Sequence, residues 1–168
     1  MEPEVAVVWG RPGAGLELSS ILWALRAFSS EHGLDVQLFD AGAVVNSDHL
    51  RSAAFHALRS QQRGTMRSGS LPMEMLLYAS GRRQIRDAMA MMGLSERTER
   101  MAALVVGPGA AEKAPALLKA IHCAPLSETD AAGGASALER LGVSVKGVGP
   151  GQLTDLALEQ VALLDIER

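Results

Sequence analysis

Apolar residues along this chain change their spacing repeatedly, from short solid runs to helical periods, and glycines mark the changes. Glu4 to Trp9 (EVAVVW) is a solid apolar run, followed by Gly10, Pro12, Gly13 and Gly15, which predicts a strand and then a loop. Leu18, Ile21, Leu22, Leu25 and Phe28 then recur at helical spacing up to Gly33, predicting an amphipathic helix. Trp23 falls off this apolar line and is expected half-buried at the helix flank; the alternative is an exposed anchor for a partner. Leu34 to Phe39 (LDVQLF) alternates apolar and polar residues and reads as a second strand. Asn46 or Ser47 caps the next helix, whose core face is Leu50, Ala53, Ala54, Ala57 and Leu58. On another face of that helix Arg51, Phe55, Arg59 and Arg63 stand four residues apart. Guanidinium groups interleaved with an aromatic ring suit phosphate contact and base stacking, although the pattern alone favours Phe55 in the core with the arginines as a solvated rim.

The polar stretch from Gln61 to Ser70 predicts a loop, and two short helices follow. Met73, Leu76 and Leu77 mark the core side of the first, and Ile85, Ala88, Met89 and Met92 that of the second, with Gly81 between them and Gly93 as the stop. Met101 to Val106 is a third strand, Ala114 to Ile121 a helix, Pro125 to Ala135 a loop, Ala135 to Leu141 a short helix and Val143 to Val148 a fourth strand. The last helix carries two apolar stripes. Leu153, Leu156, Val161, Leu163 and Leu164 form a broad arc that should meet the core, and Leu158, Ala162 and Ile166 recur every fourth residue on the opposite side. A helix with two such stripes is either buried on both sides or presents the second to another protein, and its terminal place favours the partner. Strands separated by helices predict an α/β or α+β fold, with antiparallel pairing left open: a small mixed sheet of about four strands packed by several helices, with an amphipathic C-terminal helix. At 168 residues and 48% hydrophobic side chains, the expectation is a single domain.

Charge changes this picture more than composition does. The net charge is −3, but residues 51 to 100 hold nine arginines and no lysine against four carboxylates, a local +5 that leaves −8 for the remainder. Such asymmetry suggests a basic surface for a polyanion or an acidic partner. Cys123 is the one cysteine, which excludes an internal disulfide and a cysteine cage and fits a reducing, cytoplasmic setting. No apolar stretch approaches the roughly 18 residues that a membrane span needs, so no membrane association is expected.

Catalytic chemistry finds little support. GRPGAG at Gly10 to Gly15, with Asp40 closing the second strand, imitates a dinucleotide-binding start, but it reads G-x-x-G-x-G rather than G-x-G-x-x-G, and the Lys-Ser/Thr of a phosphate loop is missing. A small nucleotide-binding enzyme using that loop is therefore one rival reading; the other is a protein-only scaffold whose arginines meet an acidic partner. His49 and His56 share a helix without a carboxylate at ligand spacing, and neither His32, His122 nor Cys123 has an evident activating partner. No metal, cofactor or catalytic residue is expected.

The most informative stretch is Leu71 to Gly93, preceded by Ser70. Ser70, Met73, Glu74, Leu76, Leu77, Ser80, Gly81, Arg83, Gln84, Ile85, Ala88 and Gly93 fall where a signature has Ser, an apolar residue and Glu, an apolar helix, Ser-Gly, Arg-Gln-Ile, and Ala before a closing Gly. This resembles the CGI or PRPK-binding (TPRKB) family, the kinase-binding accessory subunit of the KEOPS complex. The likeness extends upstream through Val36 to Leu58, includes VALLDI at Val161 to Ile166, and is poor across Pro125 to Val148. The resemblance implies a chain without enzymatic activity that binds the small atypical KEOPS kinase, an ATPase, and through it the Kae subunit. It also implies binding to the CCA tail of tRNA, in support of threonylcarbamoyladenosine modification. On that reading Arg63, Arg67, Arg82, Arg83, Gln84 and Arg86 are the RNA-binding candidates, and Leu158, Ala162 and Ile166 the kinase-binding ones. For Arg83 and Gln84 the alternative is to tie the helix pair together.

Overall fold

The computed structural model describes residues 3–166. Four strands, β1 (Val5–Pro12), β2 (Asp35–Asp40), β3 (Met101–Val106) and β4 (Cys123–Leu126), form one sheet in the order β2-β3-β1-β4. Every neighbouring pair is antiparallel, where a mixed sheet was expected. Helix α1 (Leu18–His32) joins β1 to β2, and α5 (Ala110–Ala120) joins β3 to β4. Each joined pair runs parallel with one other strand between its members, the arrangement of two interlocked split β-α-β units.

β3 reads MAALVV without alternation because it lies inside the sheet with both faces covered, and all six residues are buried. Its odd-numbered side chains, with Ala6, Val36 and Leu38, meet Ile21 and Phe28 of α1 and Leu117 of α5. Its even-numbered ones, with Trp9 and Phe39, face the opposite layer. That layer is the helical insertion between β2 and β3: α2 (Ser47–Arg63), α3 (Leu71–Ser80) and α4 (Ile85–Met92). Asn46 caps α2 by accepting from the His49 N–H, and Ser70 caps α3 by accepting from the Met73 N–H. The short α6 (Glu128–Ala131) and α7 (Ala135–Arg140) lead to α8 (Leu153–Ile166), which packs on α2, α3 and α7.

The fourth strand is not at Val143 to Val148. Val143 and Val145 are half-buried without pairing and pack beside Leu138 and Ala157. β4 comes earlier, where Cys123 to Leu126 pairs with the end of β1 from Trp9 to Pro12. It escaped the pattern because it is four residues long and contains Pro125, which only an edge strand tolerates. Pairing with β4 also draws Gly10, Arg11 and Pro12 into β1, so the first half of GRPGAG is strand rather than loop. The stretch expected as loop after Pro125 holds α6.

Helix faces depart from the pattern at particular residues. Trp23 is 76% exposed and Phe55 67% exposed, so neither is a core residue. On α4, Ala88 and Met92 are buried, but Ile85 and Met89 are exposed. On α8 the buried residues are Ala157, Val161 and Leu164; Leu153, Leu156 and Leu163 are only half-buried, so the inward face is narrower than the predicted arc. Among the described residues no helix is long and apolar enough to cross a membrane.

Candidate functional site

The signature at Ser70 and Glu74 is first of all a loop clamp. Glu74 is fully buried on α3, and its carboxylate accepts from the Arg67 N–H at 3.2 Å, the Ser68 N–H at 3.1 Å, the Ser68 hydroxyl at 2.7 Å and the Ser60 hydroxyl at 3.4 Å. A buried carboxylate is tolerable only with its lone pairs occupied, and here backbone and hydroxyl donors occupy them. The clamp fixes the α2–α3 connection, and with it Arg63 at the end of α2 and Arg67 in the loop, both exposed. Glu74 thus holds Arg67 by its backbone. Phe55 stands out from α2 with Leu58, Arg59 and Arg63 around a shallow cavity. Arg51, on the same helix, donates from Nη1 to the Val5 carbonyl at 3.0 Å.

The second half of the signature builds the α3–α4 turn. Ser80 donates from its hydroxyl to the Leu77 carbonyl at 3.1 Å and accepts the Arg82 N–H at 3.2 Å. Gly81 closes α3 in the left-handed region at φ 68°, facing the Gln160 carbonyl of α8, which accounts for glycine there. The chain leaves this turn with Arg82 half-buried, its Nη2 3.4 Å from the Leu141 carbonyl, and with Arg83, Gln84 and Arg86 exposed. Gln84 is the N-cap of α4 without a side-chain capping bond. Arg82 and Arg140 line a cleft with Asp87, and Arg140 reaches Asp40 at 3.4 Å. The RNA candidates therefore fall into two groups at opposite ends of α3, Arg63 with Arg67 at its start and Arg82, Arg83, Gln84 and Arg86 past its end. Ten residues of helix separate them, about 15 Å. The first group gains Phe55 and Arg59, which the pattern had left to the core and its rim.

α8 runs parallel to α2. Asn46 donates to the Thr154 hydroxyl at 2.7 Å near the start of both helices, and His56 bonds Asp165 near the end of α8. Tyr78 of α3 donates its hydroxyl to the other oxygen of Asp165. The last described turn of α8 is thus pinned by a carboxylate between two helices, and Ile166, the next residue, is 77% exposed. Leu158 and Ala162 are half-buried rather than fully outward, so Ile166 carries most of the free apolar surface of the second stripe.

The remaining chemistry is structural. His49 is fully buried: its Nδ1 accepts from the Val45 N–H at 3.1 Å, and its Nε2 donates to the Ala79 carbonyl at 2.9 Å. Burial lowers its pKa from the ordinary 6.5 to about 4 against the upward pull of the Ala79 bond, so the ring is neutral and ties α2 to the end of α3. Burial pushes the Cys123 thiol up to about 11, which removes thiolate reactivity. Asp40 caps the turn after β2 by accepting from the Gly42 N–H at 3.0 Å. No group of three or more histidine, cysteine or carboxylate side chains among the described residues could hold a metal. Gly10 to Pro12 lie in a paired strand, and α1 opens on Glu17, which makes no side-chain capping bond.

Residues 20–144 match the family described as kinase binding protein CGI-121. That span holds both arginine groups and ends before α8. The chain is also 27% identical over 74 residues to the EKC/KEOPS complex subunit CGI121 of Yarrowia lipolytica. The alignment covers 44% of this chain and 44% of that relative.

Proposed function

The chain belongs to the kinase binding protein CGI-121 family, and from that premise we propose that it is a non-catalytic regulatory subunit of a KEOPS-type complex. It binds the complex's small atypical kinase and, as a second role, the single-stranded CCA tail of tRNA. The observation that carries the reading is the match over residues 20–144, which takes in the clamp at Glu74 and the turn at Gly81. The name of the Yarrowia relative supports the same complex.

The kinase contact is assigned to the outer side of α8, centred on Ile166 and flanked by Leu158 and Ala162. The support is geometric, because α8 lies beyond the matched span: an isoleucine 77% exposed on a turn that His56 and Tyr78 hold in place. Ile166→Arg should leave the thermal midpoint unchanged and abolish association with the purified kinase. Association at wild-type affinity would remove this face from the interface.

For RNA, a single-stranded tail needs cations and a stacking surface, not a groove-reading helix. Phe55 with Arg59 and Arg63 offers the stacking surface. Arg67, Arg82, Arg83 and Arg86 with Gln84 meet phosphates from the two ends of α3. A gel-shift titration with intact tRNA and with tRNA lacking its CCA tail, at two salt concentrations, tests this. Tail-dependent binding is the expected result; absence of binding at low salt would leave a protein-only scaffold.

A further inference from the structure

Two of the exposed apolar residues that the helical pattern had assigned to the core, Leu22 of α1 and Met89 of α4, face one another across a cleft of about 650 Å³. Its α1 wall presents Leu18, Leu22 and Leu25, its opposite wall Met73, Met89 and Leu94, and between them run Val36 and Leu38 of β2. β2 is an edge of the sheet. The orientation of its backbone follows from the pairing. Ala41 donates its N–H to the Arg100 carbonyl, continuing the register in which Asp40 faces Met101. Antiparallel neighbours alternate between bonded and non-bonded pairs, so Asp35, Gln37 and Phe39 share the bonded class, and Val36 and Leu38 turn their N–H and C=O groups away from β3 into the cleft. A second contact agrees: the Gln37 side-chain amide, reaching around the edge, donates to the Leu38 carbonyl at 3.0 Å.

Edges are ordinarily guarded by brevity, proline, lysine or a bulge. β4, the other edge, is short and contains Pro125. β2 (DVQLFD) has neither proline nor lysine, its charges are the two end aspartates, and the cleft beside it is lined mainly by apolar side chains with Arg26, Ser29 and Ser30 among them. We propose that this cleft takes an extended segment of a partner protein as a fifth strand along β2, apolar on both faces and carrying a lysine or arginine opposite Asp35. Strand addition supplies ladder partners to the Val36 and Leu38 backbone, displacing the Gln37 amide from the Leu38 carbonyl, and its side chains alternate between the α1 wall and the α3–α4 wall. The walls also select against a second copy of this chain, whose own β2 is recessed in the same way and would bring its helices into collision. Asp35 is exposed at the end of the cleft, which Arg26 also lines; neither makes an ion pair among the described residues, and partial burial raises the Asp35 carboxyl pKa.

The test uses the full chain against a displayed library of random linear peptides, followed by hydrogen exchange with each selected peptide. Enriched peptides should be apolar with one basic residue, should slow exchange at the Val36 and Leu38 amides but not at Gln37, and should lose binding when N-methylated at alternate residues. Leu22→Asp, a change on an exposed side chain, should weaken them about tenfold or more with an unchanged thermal midpoint, because it sets a charge on an apolar wall. Asp35→Asn should remove the preference for a basic residue. No enrichment, binding that survives both Leu22→Asp and N-methylation, or protection of Val36 and Leu38 by the ribotrinucleotide CCA instead of peptide would each overturn the proposal.

Discussion

Acidification from pH 7 to pH 5 should cost this protein about 2 kcal/mol through one side chain, His49. Its Nδ1 is an acceptor for the Val45 N–H, so a protonated ring would have to break that bond and carry a charge in a fully buried position. The folded chain resists protonation down to about pH 4, whereas the unfolded chain takes up the proton near the ordinary 6.5. Between those values the unfolded state binds more protons, and stability rises with pH: the contribution is fully present above about 6.5 and is lost progressively as pH falls towards 4. The whole window corresponds to about 3 kcal/mol, of which about 2 kcal/mol falls between pH 7 and pH 5. Urea unfolding at the two pH values reads this directly, as a midpoint lower at pH 5 by about 1 M if the slope is about 2 kcal/mol/M. His49→Gln has nothing to titrate in this range. It should be less stable than the native chain at pH 7 by about 1 to 2 kcal/mol, since one of two buried bonds is lost, and should show a much smaller pH difference. Equal pH differences in the two proteins would refute the assignment of the effect to His49.

Glu74→Ala should destabilise the fold by about 1 to 3 kcal/mol, because it leaves the part-buried N–H groups of Arg67 and Ser68 without their acceptor; chemical denaturation measures it, and a loss under about 0.5 kcal/mol would mean that the loop is held by something else. Reversing charge at Arg82 and Arg86 should weaken tRNA binding and lower the salt slope by about one for each phosphate contact removed, read from gel shifts across a salt series. Phe55→Ala should cost about 1 to 3 kcal/mol of binding to tRNA that retains its tail and nothing to tRNA without it; equal losses on both would take base stacking away from Phe55.

Much of the architecture was legible because periodicity reports burial. Three of the four strands, the capped α2, and the α3–α4 pair with its glycine stop at Gly81 follow from apolar spacing and turn residues alone. The fourth strand was illegible for a physical reason: β4 is held by its pairing with Trp9 to Pro12, a contact between residues more than a hundred positions apart, and four residues around a proline carry no period. The same limit governs the side chains. A helix pattern says which residues can share a face but not whether a neighbouring element covers it. Phe55, Trp23, Leu22, Ile85 and Met89 all sit on helices that also carry buried apolar residues, and all five are exposed.

That failure locates function. Exposed apolar residues on well-formed helices cost solubility without adding to the core, so the places where they gather around a sheet edge or beside arginines are the surfaces on which the proposed partners are tested. The signature at Ser70 to Gly93 runs the other way. It was the most legible feature of the chain, yet Ser70, Glu74, Ser80 and Gly81 serve as a cap, a buried clamp and a turn. They hold the backbone of Arg67 and Arg82 at the two ends of α3, so on the proposed RNA-binding reading a substitution there should reach RNA affinity only through the loop it loosens. Glu74→Ala and the Arg82 and Arg86 reversal separate the two cases, since the first must lower stability as well as affinity and the second should lower affinity with a far smaller cost to the fold.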